Sequence, residues 1–199
     1  MKMSLYEAIL ARRSVRNYTT QKLGKATIPS LLEAAIRSPT TMHNEPWAFV
    51  IIQNHLLLKK LSDQAETMLV NTMHVNQHQQ SLNLSEFSEN KNFNIFYNAG
   101  TLILICGDTK MNFFEADCWL ATENFILAAC AMGLGTCIIG CALSVLNLPE
   151  VKLKLSIPDD FMVVVPIIVG YPNGTHPPTP RKHPIIFKSI PEESPRMSA

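Results

Sequence analysis

Apolar residues along the chain change period several times, and each change predicts an element. Ser4 and Glu7 stand three apart at the head of an apolar spacing, where each side chain can satisfy the other's backbone N–H. The pattern predicts a helix with Leu5, Ile9 and Leu10 on one face, ending near Arg13. Thr27 with Pro29 marks a second helix start. Its apolar face is Leu31, Leu32, Ala35 and Ile36, and Pro39 ends it. Residues 47–52 (WAFVII) are a short, nearly continuous apolar run rich in β-formers, which predicts a buried strand. Amphipathic spacing returns over 55–70 and predicts a helix.

Residues 71–94 break the pattern, with many Asn, Gln and Ser and few apolar positions. They read as a surface excursion. His74 and His78 lie four apart there, a spacing that could hold a metal on a helix, but no carboxylate or Cys joins them at a suitable spacing. They read as a solvated polar face, and no metal site is expected. Apolar runs resume at 102–106, a second buried strand. Residues 114–132 predict a long helix that is apolar on most sides, capped by Gly133. A short strand follows at 136–139, then two short helices around Pro149 within 142–156. The fourth strand spans 162–169, where Pro166 favours an edge position or a bulge. From 172 to 199 the chain is rich in proline, so it is either disordered or laid across another surface; Ile185, Ile186 and Phe187 argue for the second. No repeat or linker divides the chain, so residues 1–199 read as one layered α+β or α/β domain.

Composition adjusts this picture in three ways. Hydrophobic residues make up 47% and charged residues only 17% of the 199. The shortage of charge points to extra buried surface such as a subunit interface. The net charge of +1 gives no global field to attract nucleic acid or anionic membrane, so any phosphate site needs a local basic cluster. Five cysteines, Cys106, Cys118, Cys130, Cys137 and Cys141, lie in apolar stretches without a zinc pattern. They read as reduced core thiols and place the protein in the cytoplasm. The N-terminus lacks the apolar stretch and cleavage site of a signal peptide, and no run is suited to span a bilayer.

Four segments carry candidate chemistry. Arg12-Arg13-Ser14-Val15-Arg16 sets three guanidinium groups and a hydroxyl at a helix end, suited to phosphate oxygens. A helix C-terminus also favours basic side chains through its dipole, so alone the cluster is equally an ordinary helix end. Residues 38–47 (SPTTMHNEPW) form a polar loop able to hydrogen-bond a heteroaromatic edge. Residues 133–140 (GLGTCIIG) are glycine-rich without matching either nucleotide-binding glycine motif. Gly170-Tyr171-Pro172 precedes the basic pair Arg181-Lys182.

Together, and in this order, these segments resemble the nitroreductase family of FMN flavoproteins over nearly the whole chain. The resemblance implies an α+β fold layered α/β/α, with a central mixed sheet flanked by helices. It also implies an intertwined homodimer with FMN at the subunit interface and the C-terminal tail swapped onto the partner. Arg12, Arg13, Ser14 and Arg16 would bind the phosphate, ribityl and pyrimidine end, completed by Arg181 and Lys182. Pro39, Thr40, Thr41 and His43 would reach the ring from the partner. Ile139, Gly140 and Cys141 would present backbone near flavin N5. The implied activity is hydride transfer from NAD(P)H through N5 to a nitroaromatic, quinone or similar acceptor, with His43 the one candidate for acid–base work. Other flavin chemistry, such as fragmentation or reductive dehalogenation, and a non-catalytic flavin-binding role are the alternatives. His43 and Glu45 depart from the family's frequent Asn and Gln; an ionised carboxylate accepts but cannot donate, so Glu45 suits a cationic partner better than flavin.

Overall fold

The computed structural model describes residues 3–75 and 94–190, with backbone alone for 70–75. His78, the side chain of His74, most of the expected excursion and residues 191–199 lie outside that description. The first helix, α1 (Leu5–Ala11), opens with the expected reciprocal cap: Ser4 N–H donates to Glu7 Oε2 at 2.7 Å and Glu7 N–H to Ser4 Oγ at 3.3 Å. Its apolar face does not turn inward. Leu5, Tyr6, Ile9 and Leu10 are exposed and only Ala8 is buried. The second helix, α2 (Thr27–Ala35), stops before Pro39, with Ile36 as its cap.

Among the described residues four strands follow: β1 (Trp47–Ile52), β2 (Thr101–Asp108), β3 (Gly135–Ile138) and β4 (Phe161–Gly170). They pair in the order β1-β2-β4-β3, every pair antiparallel. The expected mixed sheet is corrected: among the described residues the four-stranded sheet is wholly antiparallel, and an isolated parallel bridge, Ser14 to Thr136, lies on the outer edge of β3. Among the described residues the other helices are α3 (His55–Val75), α4 (Phe114–Ala131), α5 (Leu143–Leu146) and α6 (Pro149–Lys154). Helix α3 runs five residues past the expected end at 70, into the polar stretch.

Residues of β2 are buried on both faces because each face meets a separate core. Leu102, Leu104 and Cys106 face a cluster with Leu58, Leu61 and Leu146, whereas Ile103 and Ile105 face one with Leu31, Phe125 and Ala129. A strand sandwiched this way cannot alternate apolar with polar, which is why 102–106 reads as a continuous apolar run. Fully burying one such side chain contributes roughly 1.5–3 kcal/mol.

Pro166 corrects a sequence-based expectation. It lies in β4, an inner strand, opposite Leu104. Its carbonyl accepts from Ile139 N–H at 2.9 Å, one residue beyond the end of β3. The return bond would need the N–H that proline lacks. The Ile139 carbonyl instead accepts from Ala142 N–H at 3.0 Å. The proline therefore stands where the ladder stops and the chain turns into a 3₁₀ helix, Gly140–Ala142. The expected bulge exists nearby: the register shifts between Ile105 and Cys106, and Val164 and Val165 consequently face the same core.

Gly133 ends α4 as expected. Its φ is +75°, its N–H reaches Cys130 O at 2.9 Å, and Leu134 N–H reaches Ala129 O at 2.9 Å. That pair of bonds is the Schellman arrangement, which needs a left-handed residue and so favours glycine. Among the described residues no helix is long and apolar enough to cross a membrane.

Candidate functional site

The arginine segment leaves α1 at Arg12 and runs along the edge of β3. Val15 N–H donates to Thr136 O at 2.9 Å, and Val15 is 4% exposed. Its side chain sits over Gly135, where an added Cβ would come within 2.7 Å of it. With Val15 inward, extended geometry turns Ser14 and Arg16 outward, and both are exposed. Arg16 lies 5.9 Å above the Tyr97 ring. Arg13 acts as a clamp: Nη1 donates to Leu10 O and Arg12 O, both at 2.7 Å, and Nε donates to Pro177 O at 3.2 Å.

Arg12, Arg13, Thr136 and His176 line a cavity of about 190 Å³ beside the end of α4. Burial pushes the Cys130 thiol up there, while Arg12 and Arg13 pull it down. A larger cavity, about 350 Å³, is lined by Thr19, Lys22, Gln53, His55 and Asn98 among others. It holds no arginine and none of the expected site residues. Size therefore points away from the basic cluster, and the concentrated charge is the better guide to an anion site.

Where β3 ends, Ile139 is 3% exposed and both of its backbone polar groups are engaged. Gly140 is exposed, and a Cβ there would meet nothing within 4 Å. Cys141 is half-buried; burial raises its pKa, so it stays a neutral thiol near neutrality. All five cysteines are free. Ser14 bridges Thr136, so Arg12 to Arg16 and Ile139 to Cys141 share one edge of the sheet.

The polar loop lies elsewhere. It contains a 3₁₀ turn, Thr41–His43, anchored by Asp117 near the start of α4. The Asp117 carboxylate, 2% exposed, accepts from Thr41 N–H at 3.1 Å on each oxygen and from Thr41 Oγ1 at 3.3 Å. Asp108 N–H donates to Pro46 O at 2.9 Å and pins the other end. Between these anchors Met42, His43 and Glu45 have φ of 53°, 58° and 44°. Left-handed non-glycine residues each cost about 1–3 kcal/mol and collect where a loop is held for function. Pro39, His43 and Glu45 are exposed; Thr40 is half-buried.

One chain does not bring the two groups together. Asp117 and Cys130 belong to the same helix, and 1.5 Å per residue sets them roughly 20 Å apart. The loop binds at the first, and the arginines flank the second. Arg181 and Lys182 are exposed in the extended tail, four and five residues beyond the Arg13–Pro177 contact. Asp117 and His176 escaped the sequence reading: nothing near Asp117 in sequence hints at Thr41, and His176 is isolated among prolines.

Residues 9–171 match the sequence model of the Nitroreductase family. A solved nitroreductase with bound FMN from Bacteroides fragilis is 26% identical; the match covers 94% of this chain and 98% of that one, with a TM-score of 0.76. An Archaeoglobus fulgidus protein provisionally named NADH dehydrogenase/NAD(P)H nitroreductase is 27% identical over 169 residues, 82% of this chain and 83% of that protein. An iodotyrosine deiodinase of Thermotoga neapolitana is 24% identical over 193 residues, 94% of this chain and 97% of that protein.

Proposed function

The chain belongs to the nitroreductase family, and from that premise we propose that it is an FMN-dependent oxidoreductase acting between NAD(P)H and a nitroaromatic, quinone or similar electron-poor acceptor. The observation that carries this reading is the arginine-lined cavity on the edge of β3, on the edge that also carries the open turn at Gly140. Guanidinium groups stay charged at any working pH and match phosphate oxygens in pairs. A buried, unpartnered imidazole nitrogen on His176 adds unfilled hydrogen-bonding capacity. This donor set fits an FMN phosphate.

Bound FMN would supply the redox chemistry, accepting two electrons from the nicotinamide and passing them on. The protein's part is to hold and orient. Arg12, with Ser14, Arg16, Arg181 and Lys182, would take the phosphate and pyrimidine end; Arg13 would shape that wall. Gly140 would let backbone come close to a flat ring, with Ile139 and Cys141 on either side. Pro39, Thr40, Thr41 and His43 would come from a second copy, because their own chain holds them about 20 Å from its arginines. The exposed apolar side chains of α1 and of Ile185, Ile186 and Phe187 would be covered in that homodimer, with the tail laid over the partner. His43 is the candidate proton donor.

The test is a visible spectrum of the purified protein, followed by NADH or NADPH without oxygen. Bleaching of the flavin band and recovery on adding a quinone are expected. A protein that takes up no FMN, or bound flavin that neither nicotinamide bleaches, would overturn the reading. Reductive dehalogenation is the second reading, favoured by the similarity to an iodotyrosine deiodinase along 94% of the chain. Iodide release from 3-iodo-L-tyrosine by the reduced protein, faster than reduction of quinone or nitroaromatic, would select it.

A further inference from the structure

We infer that His176 is a further basic ligand in the Arg12–Arg13 cavity, one that hydrogen-bonds a bound phosphate through Nε2. The inference rests on the FMN reading above and adds a residue outside the arginine motif and the Arg181-Lys182 pair.

Among the described residues, two side-chain atoms are buried without a hydrogen-bond partner: Ser38 Oγ and His176 Nε2. Ser38 lies at the end of α2 and lines neither cavity described above. His176 lines the cavity that holds Arg12, Arg13 and Thr136. Nε2 itself is covered in the single chain; a polar atom shut off from water and left unpaired is unfavourable, so a turn of the ring that brings Nε2 to the cavity and a partner there is favoured. About 190 Å³ is far more than the ~10–15 Å³ that a single water needs. Two guanidinium groups on the same wall favour an anion as that partner.

The backbone that carries the imidazole is also tied on both sides. Asn173 N–H donates to Asn17 O at 2.9 Å, and Arg13 Nε donates to Pro177 O at 3.2 Å. Pro172, Pro177 and Pro178 restrict the backbone around it. The arginine segment itself thus straps the start of the tail, and His176 sits between the straps. A segment tied on both sides keeps the ring beside the cavity, so binding a ligand orders little more than the ring itself. Nε2 can donate whenever it carries the proton, and a phosphate oxygen accepts.

The experiment compares FMN with riboflavin, which has the same ring and no phosphate, on the full-length protein and on His176→Ala and His176→Gln. A role at the phosphate predicts that His176→Ala weakens FMN about tenfold, as expected for a hydrogen bond to a charged group, with riboflavin changed less than twofold. His176→Gln keeps an N–H donor and recovers part of the loss. Equal weakening of both ligands means the ring only supports the fold, and unchanged FMN affinity means it makes no contact; either overturns the inference. A protein that binds no flavin refutes the FMN reading instead. In that case the His176 ring resonances are followed while inorganic phosphate is added: a shift abolished by Arg12→Ala supports the anion role, and no shift overturns it.

Discussion

Arg12 and Arg13 are neighbours of identical chemistry with different work. Three carbonyls accept from Arg13, whereas Arg12 lines the cavity with no such ties among the described contacts. Arg12→Ala should therefore weaken FMN roughly 10- to 100-fold, the equivalent of a lost charged hydrogen bond, with little change in melting temperature. Arg13→Ala should mainly lower stability, by about 1 kcal/mol for the donors lost at Leu10, Arg12 and Pro177. Flavin titration and thermal melts separate the two; matching profiles would contradict the division. A second outcome belongs to the core thiols. Burial pushes Cys106 and Cys118 up to about 12 from an ordinary 9.0. Above pH 9 the unfolded chain loses these protons while the folded one keeps them, so stability falls from there towards pH 12. Each thiol contributes at most about 1.4 kcal/mol per pH unit. Urea midpoints measured between pH 8 and 11 should drop, and less steeply in Cys118→Ala. The arginine motif was legible in the sequence because five adjacent residues carry it. Which of the two arginines lining the cavity is tied to carbonyls was not, since the carbonyl that engages Arg13 Nε lies 164 residues away.

At the scale of elements, β3 is the organiser. Its outer edge receives Ser14 and Val15, its inner edge pairs with β4, and its end turns into Gly140 because Pro166 offers no N–H. Gly135→Ala tests this without altering any group proposed to touch a ligand. Its Cβ would fall within 2.8 Å of three atoms of Val15. Overpacking of this kind costs about 1–3 kcal/mol, and relief requires the arginine segment to lift off the strand. Lower stability together with weaker FMN binding is the expected result; weaker stability with normal binding would separate the strand edge from the site. The continuous apolar runs of β2 and β4 made their burial on both faces readable. The inner position of Pro166 was not readable. It depends on β3 ending one residue short, a property of the partner strand.

For the whole molecule, the question is where a complete site forms. The 39–46 loop and the arginines lie at opposite ends of α4, and α1 and the tail expose apolar side chains in a single chain. A homodimer that joins one chain's arginines to the other's loop accounts for both. Mixing two defective variants tests it. Arg12→Ala removes an arginine, and Asp117→Ala frees the loop that Thr41 anchors. If sites form across subunits, the heterodimer has one site with both defects and one with neither. Half the wild-type FMN stoichiometry at wild-type affinity is then expected. Two equally impaired sites would put the arginines and loop of one chain in one site.

Local features were determined by the sequence alone. Helix and strand periods, the Ser4–Glu7 cap, the Gly133 ending and the arginine cluster depend on residues within a few positions of each other, and the order of segments is enough to identify the family. Tertiary structure decided what depends on distant partners. The grip of Asp117 on Thr41 spans 76 residues, and the cavity that joins His176 to Arg12 exists because Thr136 on β3 meets Ser14 and β4 delivers the tail to the same edge. No local pattern encodes such meetings, because the strand order β1-β2-β4-β3 that produces them is a balance of core packing over the whole chain.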